Sequence, residues 1–180
     1  MPRYAAFLRG MNLGRRRITN DELCGHVEAL GFSEVGAFLA SGNVVFDAES
    51  EDGAAVARHL ATGLETALAY PVPTFVRSAE EVVAIAGRQP FTPDQRARSE
   101  GKLQVALLTT EPSKSAASTA LDLATFDDQL ALVGSELYWL PKAGVSTSNL
   151  DFKALETALG LTTVRTHRTL QRLAVKYFCG

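Results

Sequence analysis

The sequence is poor in the residues from which metal centres and disulfide frameworks are built. It has two cysteines, three histidines and one tryptophan among 180 residues. Cys24 and Cys179 are far apart and in no metal-type spacing, so free thiols in a reducing compartment are the plainer expectation. Cys24 and His26 lie two apart within an expected helix, on diverging faces, and make a poor metal pair. No metal and no cofactor is expected. No apolar run approaches the roughly 20 residues that span a bilayer, and no apolar core followed by a small-residue cleavage site marks a signal peptide. The expectation is a cytoplasmic protein without membrane contact. Basic residues are not in excess either: 18 Lys and Arg face 20 Asp and Glu, for a net charge of -2 and a pI near 5.9. No global field therefore draws the chain to nucleic acid.

What the sequence does hold is an ordinary globular composition, 46% hydrophobic and 21% charged. The length suits one large domain or two small modules. Periodicity and turn residues resolve the first half into six elements. Residues 3–9 read as a strand, and a helix from Thr19 or Asn20 to Leu30 carries Leu23, Val27 and Leu30 on one face. Strands at 34–40 and 43–47 flank a tight turn at Ser41-Gly42-Asn43. A helix over 53–70, with Val56, Leu60, Leu64 and Leu68 at spacing four, ends at Pro71 before a strand over 72–77. Ser78 and Glu81 form a capping box for a helix to Gly87. Residues 89–101, with Pro90, Pro93 and several charges, read as a linker.

The second half repeats the order. Strands are expected at 102–109, 129–133, 136–140 and 161–164, with helices at 113–123 and 151–159 and a last helix over about 166–177. The duplication rests on element order, since no residue-level repeat is evident. The expected fold is α+β: two tandem ferredoxin-like (split βαβ) modules, 1–88 and 102–180, packed as one compact protein. A single mixed sheet is the competing architecture. In the ferredoxin-like order 4-1-3-2, strands one and two run the same way. The loop after the first and the turn after the second then emerge at one end of the sheet, about 10 Å apart.

Those two segments carry the chemistry. Phe7-Leu8-Arg9-Gly10-Met11-Asn12-Leu13-Gly14-Arg15-Arg16-Arg17 is a strand running into a two-glycine loop with three arginines, and Leu8 and Leu13 read as its apolar anchors. Gly10-x-x-x-Gly14-Arg15 is one residue short of the Walker spacing and lacks its Lys-Ser/Thr, and no Rossmann glycine fingerprint is present. Glycines that bare backbone N–H groups, arginine forks and a helix start just beyond still suit a phosphate or carboxylate. A surface turn with solvated arginines is the plainer alternative. Ser41-Gly42-Asn43 is likewise a good hairpin turn in its own right, and Ser41 lacks the Gly-x-Ser-x-Gly elbow of a nucleophile. His26 and His59 fall within helices, and neither Glu80-Glu81 nor Asp127-Asp128 makes an acid–base pair.

The segments around Gly10 and Gly42 together resemble the paired signatures of a bacterial family designated domain of unknown function 1697. Pro141-Lys142-Ala143-Gly144-Val145-Ser146-Thr147-Ser148-Asn149-Leu150 resembles its glycine- and serine-bearing loop, with Asn149 in place of a usual lysine. Thr162-Thr163-Val164-Arg165-Thr166-His167-Arg168-Thr169 falls where the family usually shows Thr-x-Arg-Asn-Trp-x-Thr; Arg165 and Thr169 match, with Thr166 and His167 replacing Asn and Trp. The resemblance implies a fold and a candidate site but no reaction, because the family has no established activity. The expected ligand site comprises Arg9, Gly10, Asn12, Gly14, Arg15, Ser41, Gly42 and Asn43, with Arg165 as an outlying member. The leading function is binding of a small anionic ligand. A small enzyme performing group transfer or hydrolysis in the same pocket is the runner-up. A nucleic-acid-binding module is a third reading, disfavoured by the acidic balance and by a third strand that supplies Phe46 and an acid where two aromatics at alternate positions are needed, although Phe7 could lie beside it from strand one.

Overall fold

The computed structural model of the chain describes residues 1–40 and 42–180. Among the described residues the fold is mixed α+β, with two separate four-stranded antiparallel sheets and seven α-helices. The first half runs β1 (Arg3–Leu8), α1 (Asn20–Ala29), β2 (Ser33–Ala37), β3 (Asn43–Asp47), α2 (Gly53–Leu68), β4 (Thr74–Ser78), α3 (Ala79–Gly87). After α4 (Pro93–Ala97), the second half runs β5 (Gln104–Leu108), α5 (Lys114–Leu121), β6 (Asp128–Val133), β7 (Glu136–Pro141), α6 (Phe152–Leu159), β8 (Thr162–Thr166), α7 (His167–Tyr177). The sheets have the orders β2-β3-β1-β4 and β6-β7-β5-β8, the same permutation twice. No continuous mixed sheet exists among the described residues.

The chain divides into two compact units, Met1–Ala84 with Leu173–Gly180, and Ile85–Arg172. In the first, alternate residues Tyr4, Ala6 and Leu8 of β1 and Val44 and Phe46 of β3 form one buried face. Leu23 and Val27 of α1 and Val56, Leu60 and Leu64 of α2 cover it, as helical spacing requires. The C-terminal residues belong here because the Tyr177 ring meets Phe38 edge-on at 6.1 Å and its hydroxyl donates to Ala37 O. In the second unit, Ala106 and Leu137 pack against Ala120 of α5 and Leu155 of α6.

The helix starts follow the sequence. Thr19 and Glu22 cap α1 reciprocally, and Ser78 and Glu81 do the same for α3, Glu81 Oε2 accepting from Ser78 N at 2.7 Å. Residues 89–101 are a packed part of the second unit. Gln129 Nε2 donates to Gln95 O at 2.9 Å, Glu100 N donates to Lys142 O at 2.8 Å, and the Ser99 hydroxyl donates to Pro141 O. The charges and prolines that suggested a linker are here the capping sequence of α4, with Thr92 as cap and Pro93 in its first turn.

Strand register exposes a repeat that composition hides. Ala5 faces Arg77 across β1 and β4, and Val105 faces Arg165 across β5 and β8. Thr74-Phe75-Val76-Arg77-Ser78 thus corresponds to Thr162-Thr163-Val164-Arg165-Thr166. Each arginine Nη1 donates to the carbonyl before it at 2.9 Å, on Val76 and on Val164. Each strand then ends in a hydroxyl that accepts from the following helix, Glu81 N on Ser78 and Thr169 N on Thr166, both at 3.2 Å. Leu8 N bonds Gly42 O at 2.7 Å where Leu108 N bonds Ser135 O at 2.9 Å.

Phe7 and Phe46 are both 0% exposed. Tyr4 pairs with Phe46 and Phe7 with Asn43, so alternation puts the two phenylalanines on opposite faces of the sheet. Neither offers a surface on which a base could stack.

Candidate functional site

Both β1 and β2 run antiparallel to β3, so their C-terminal ends lie at one end of the sheet. There the two glycine segments meet. Leu8 N donates to Gly42 O at 2.7 Å, and Asn20 Nδ2, at the start of α1, donates to Leu39 O at 2.8 Å. Gly42 has φ 94° and Gly10 has φ 75°, a left-handed backbone that side chains adopt only at a cost. Leu39, at φ 59°, adopts it without that freedom. Asn43 is buried and works as structure: its Nδ2 donates to Phe38 O at 3.0 Å while Phe38 N donates to Asn43 O at 2.9 Å. Ser41 lies outside the described residues.

The loop from Arg9 to Ile18 has an internal scaffold. Arg9 N donates to Pro73 O at 3.0 Å, and Met11 is buried in the core below. Asn12 Oδ1 accepts from Ile18 N at 3.0 Å, closing the loop across its base. The buried anchors are Leu8 and Met11. Leu13, read from the sequence as an anchor, is 64% exposed, because the tight reversal at Leu13–Arg16, bonded at 3.0 Å, turns it outward.

The three arginines are not equivalent. Arg17 Nη1 donates to Gly14 O at 2.9 Å and Arg16 O at 2.8 Å, tying the loop's own carbonyls. The Arg16 guanidinium lies 4.0 Å from the Tyr70 ring centroid, a cation–π contact the sequence did not disclose, since Tyr70 sits just past α2. Arg15 is exposed and, among the described residues, has no hydrogen-bond or ionic partner. The start of α1, which suggested an anion seat, is occupied by the chain itself. Glu22 Oε2 accepts from Thr19 N at 2.7 Å, and this bond holds the Glu22 carboxyl below its ordinary pKa.

A match to the family model described as Protein of unknown function (DUF1697) extends over residues 1–138. The chain belongs to this family. The matched stretch holds both glycine segments and ends before the loop at 141–150 and the segment at 162–169. No curated protein matches the sequence. Among solved structures, the conserved bacterial protein SP0830 from Streptococcus pneumoniae is similar at 21% identity, with a TM-score of 0.75 over 98% of each chain. That likeness speaks for the fold alone.

In this DUF1697 chain Arg165 belongs to the second unit. Its Nη1 donates to Thr163 Oγ1 and Val164 O, both at 2.9 Å, and burial lowers its pKa to about 10, so it stays charged at neutral pH. His167 places Nε2 3.1 Å from Ile85 O. The two cysteines are free, Cys24 half-buried and Cys179 exposed. Among the described residues no group of three metal-ligating side chains converges, and no helix is long and apolar enough to cross a membrane.

Proposed function

We propose that the chain binds a small anionic ligand, bearing a phosphate or carboxylate, where the loop at Arg9, Gly10, Asn12, Gly14 and Arg15 adjoins the turn at Ser41, Gly42 and Asn43. The observation that supports this reading is the division of labour among the arginines. Arg16 and Arg17 are engaged in holding the loop, while Arg15 is left exposed and unengaged on a loop whose shape they maintain. Leu39, held at positive φ with its carbonyl accepting from Asn20 Nδ2, is the kind of strain that tertiary structure sustains at functional sites. Each unit is read as ferredoxin-like, on its βαββαβ order and strand permutation. The free thiols favour a cytoplasmic setting.

A thermal-shift screen of the full chain against inorganic phosphate, nucleotides, sugar phosphates and dicarboxylates tests the proposal. One class should raise Tm saturably, since a ligand at 100-fold its Kd stabilises by about 2.7 kcal/mol. Arg15→Ser should abolish the response with ligand-free Tm unchanged. Arg9→Lys should weaken it, because the planar fork is lost while charge remains. A silent panel, or an Arg15→Ser protein that responds like the parent, would refute it.

A further inference from the structure

The second unit contains a cleft of about 330 Å³ between the turn before β6 and the loop after β7, lined in part by Phe126, Asp127, Asp128, Lys142, Ser148 and Asn149. The first unit has a hollow at the matching place, between the turn into β2 and the loop after β3, lined in part by Phe32, Ser50 and His59. Register makes the correspondence residue by residue. Ala6 faces Val44 as Ala106 faces Leu137, so Phe46 and Trp139 are equivalent. Ser33 faces Asp47 as Gln129 faces Leu140, so Asp128 occupies the position of Phe32.

In the first unit that pair is two core rings in tilted contact, Phe32 and Phe46 with centroids 4.5 Å apart. In the second it is a carboxylate, 2% exposed, on an indole. Burying a carboxylate in place of an aromatic ring is costly unless its lone pairs are used. Asp128 Oδ1 accepts from Trp139 Nε1 at 2.8 Å and from Ser148 Oγ at 2.6 Å. Oδ2 has, among the described residues, one partner at the limit of bonding distance, Thr125 Oγ1 at 3.5 Å. An ionised carboxylate has about four acceptor positions, of which these contacts use three, and Asp128 is among the residues that line the cleft.

The surroundings specify the donor's charge. Asp127 pairs with Lys142 at 3.2 Å, but both side chains are more than half exposed, and such a pair is weak. Among the residues that line the cleft, two carboxylates face one ammonium, while the nearby Arg98 guanidinium lies outside the lining and donates to Gln129 Oε1 at 3.2 Å. At its mouth Phe126 is 74% exposed, and the Arg98 guanidinium already lies 5.4 Å from its centroid. An exposed ring beside acids suits a cation with an apolar body.

We propose that this cleft binds a small organic ammonium ion, its N–H groups donating to Asp128 Oδ2 and its apolar portion lying on Phe126. Trp139 is the chain's one tryptophan, and its indole N–H sits on the Asp128 carboxylate, so it reports the site directly. The full chain would be titrated with 2-phenylethylammonium chloride, and with 2-phenylethanol as the neutral counterpart, at constant ionic strength, following the single indole ¹⁵N–¹H resonance. The ammonium should give a saturable shift and the alcohol none. Asp128→Asn should weaken binding about tenfold or more, and Phe126→Ala about two- to fivefold. No saturable shift with the amine, an equal shift with the alcohol, or unchanged affinity in Phe126→Ala would overturn the proposal. Should Asp128→Asn fail to fold, the alcohol comparison and the exposed Phe126→Ala variant decide alone.

Discussion

Gly101 shows how a single residue carries a segment. A Cβ there would run into the carbonyl oxygens of Pro141 and Ala143, both fixed in the strand end and loop that pair with residues 99–101. Backbone cannot retreat as a flexible side chain can, so Gly101→Ala should cost about 2–3 kcal/mol, read as a lowered midpoint in chemical denaturation. A loss below about 0.5 kcal/mol would mean the segment shifts freely. At this scale the sequence was partly legible. Gly10 and Gly42 were marked as turn glycines from their apolar flanks, and both are at positive φ. The distinct duties of Arg15, Arg16 and Arg17 were not, because Tyr70 and the loop carbonyls are brought to them only by folding. Nor was the buried Asp128 legible, since an Asp-Asp pair reads as a solvated turn until its partners Trp139 and Ser148 are known.

Among the elements, α1 connects the candidate anion site to the core. Its start depends on Glu22, whose carboxylate accepts from Thr19 N and is held below its ordinary 4.5 chiefly by that bond. A depressed carboxyl contributes above the unfolded-state pKa and loses its contribution as pH falls through the lower folded value. The first turn of α1 should therefore hold at pH 5 and fray only below the ordinary value. The Glu22 side-chain carbon, followed by NMR, should titrate with a midpoint below 4.5. A midpoint at or above it would remove the cap. Elements themselves were readable because caps, period and turns agreed: Thr19, Ser78, Ser113 and Asp151 all stand at helix starts as expected. The short helix α4 was not readable, because Thr92-Pro93 serves equally well as a loop sequence.

At the scale of the whole molecule, the chain is one plan used twice with different ends. Both sheets share a strand permutation, and Thr-x-Val-Arg-Ser/Thr recurs at β4 and β8 with the same arginine-to-carbonyl bond. The order of elements carried that symmetry in the sequence. The residue repeat stayed hidden because a few matching positions are too few to stand out without register. The first unit elaborates the loop after its first strand into Gly10–Ile18, where the second has only the short connection from Thr109 to Ser113. The second instead places polar chemistry at the other end of its sheet, around Asp128. A ¹⁵N–¹H titration of the full chain with inorganic pyrophosphate at constant ionic strength decides whether the elaborated loop is an anion site. Saturable shifts at the amides of residues 9–17, Gly42 and Asn43, lost in Arg15→Ser, are the expected result. No saturable shift at those amides, or the same shifts in Arg15→Ser, would contradict it.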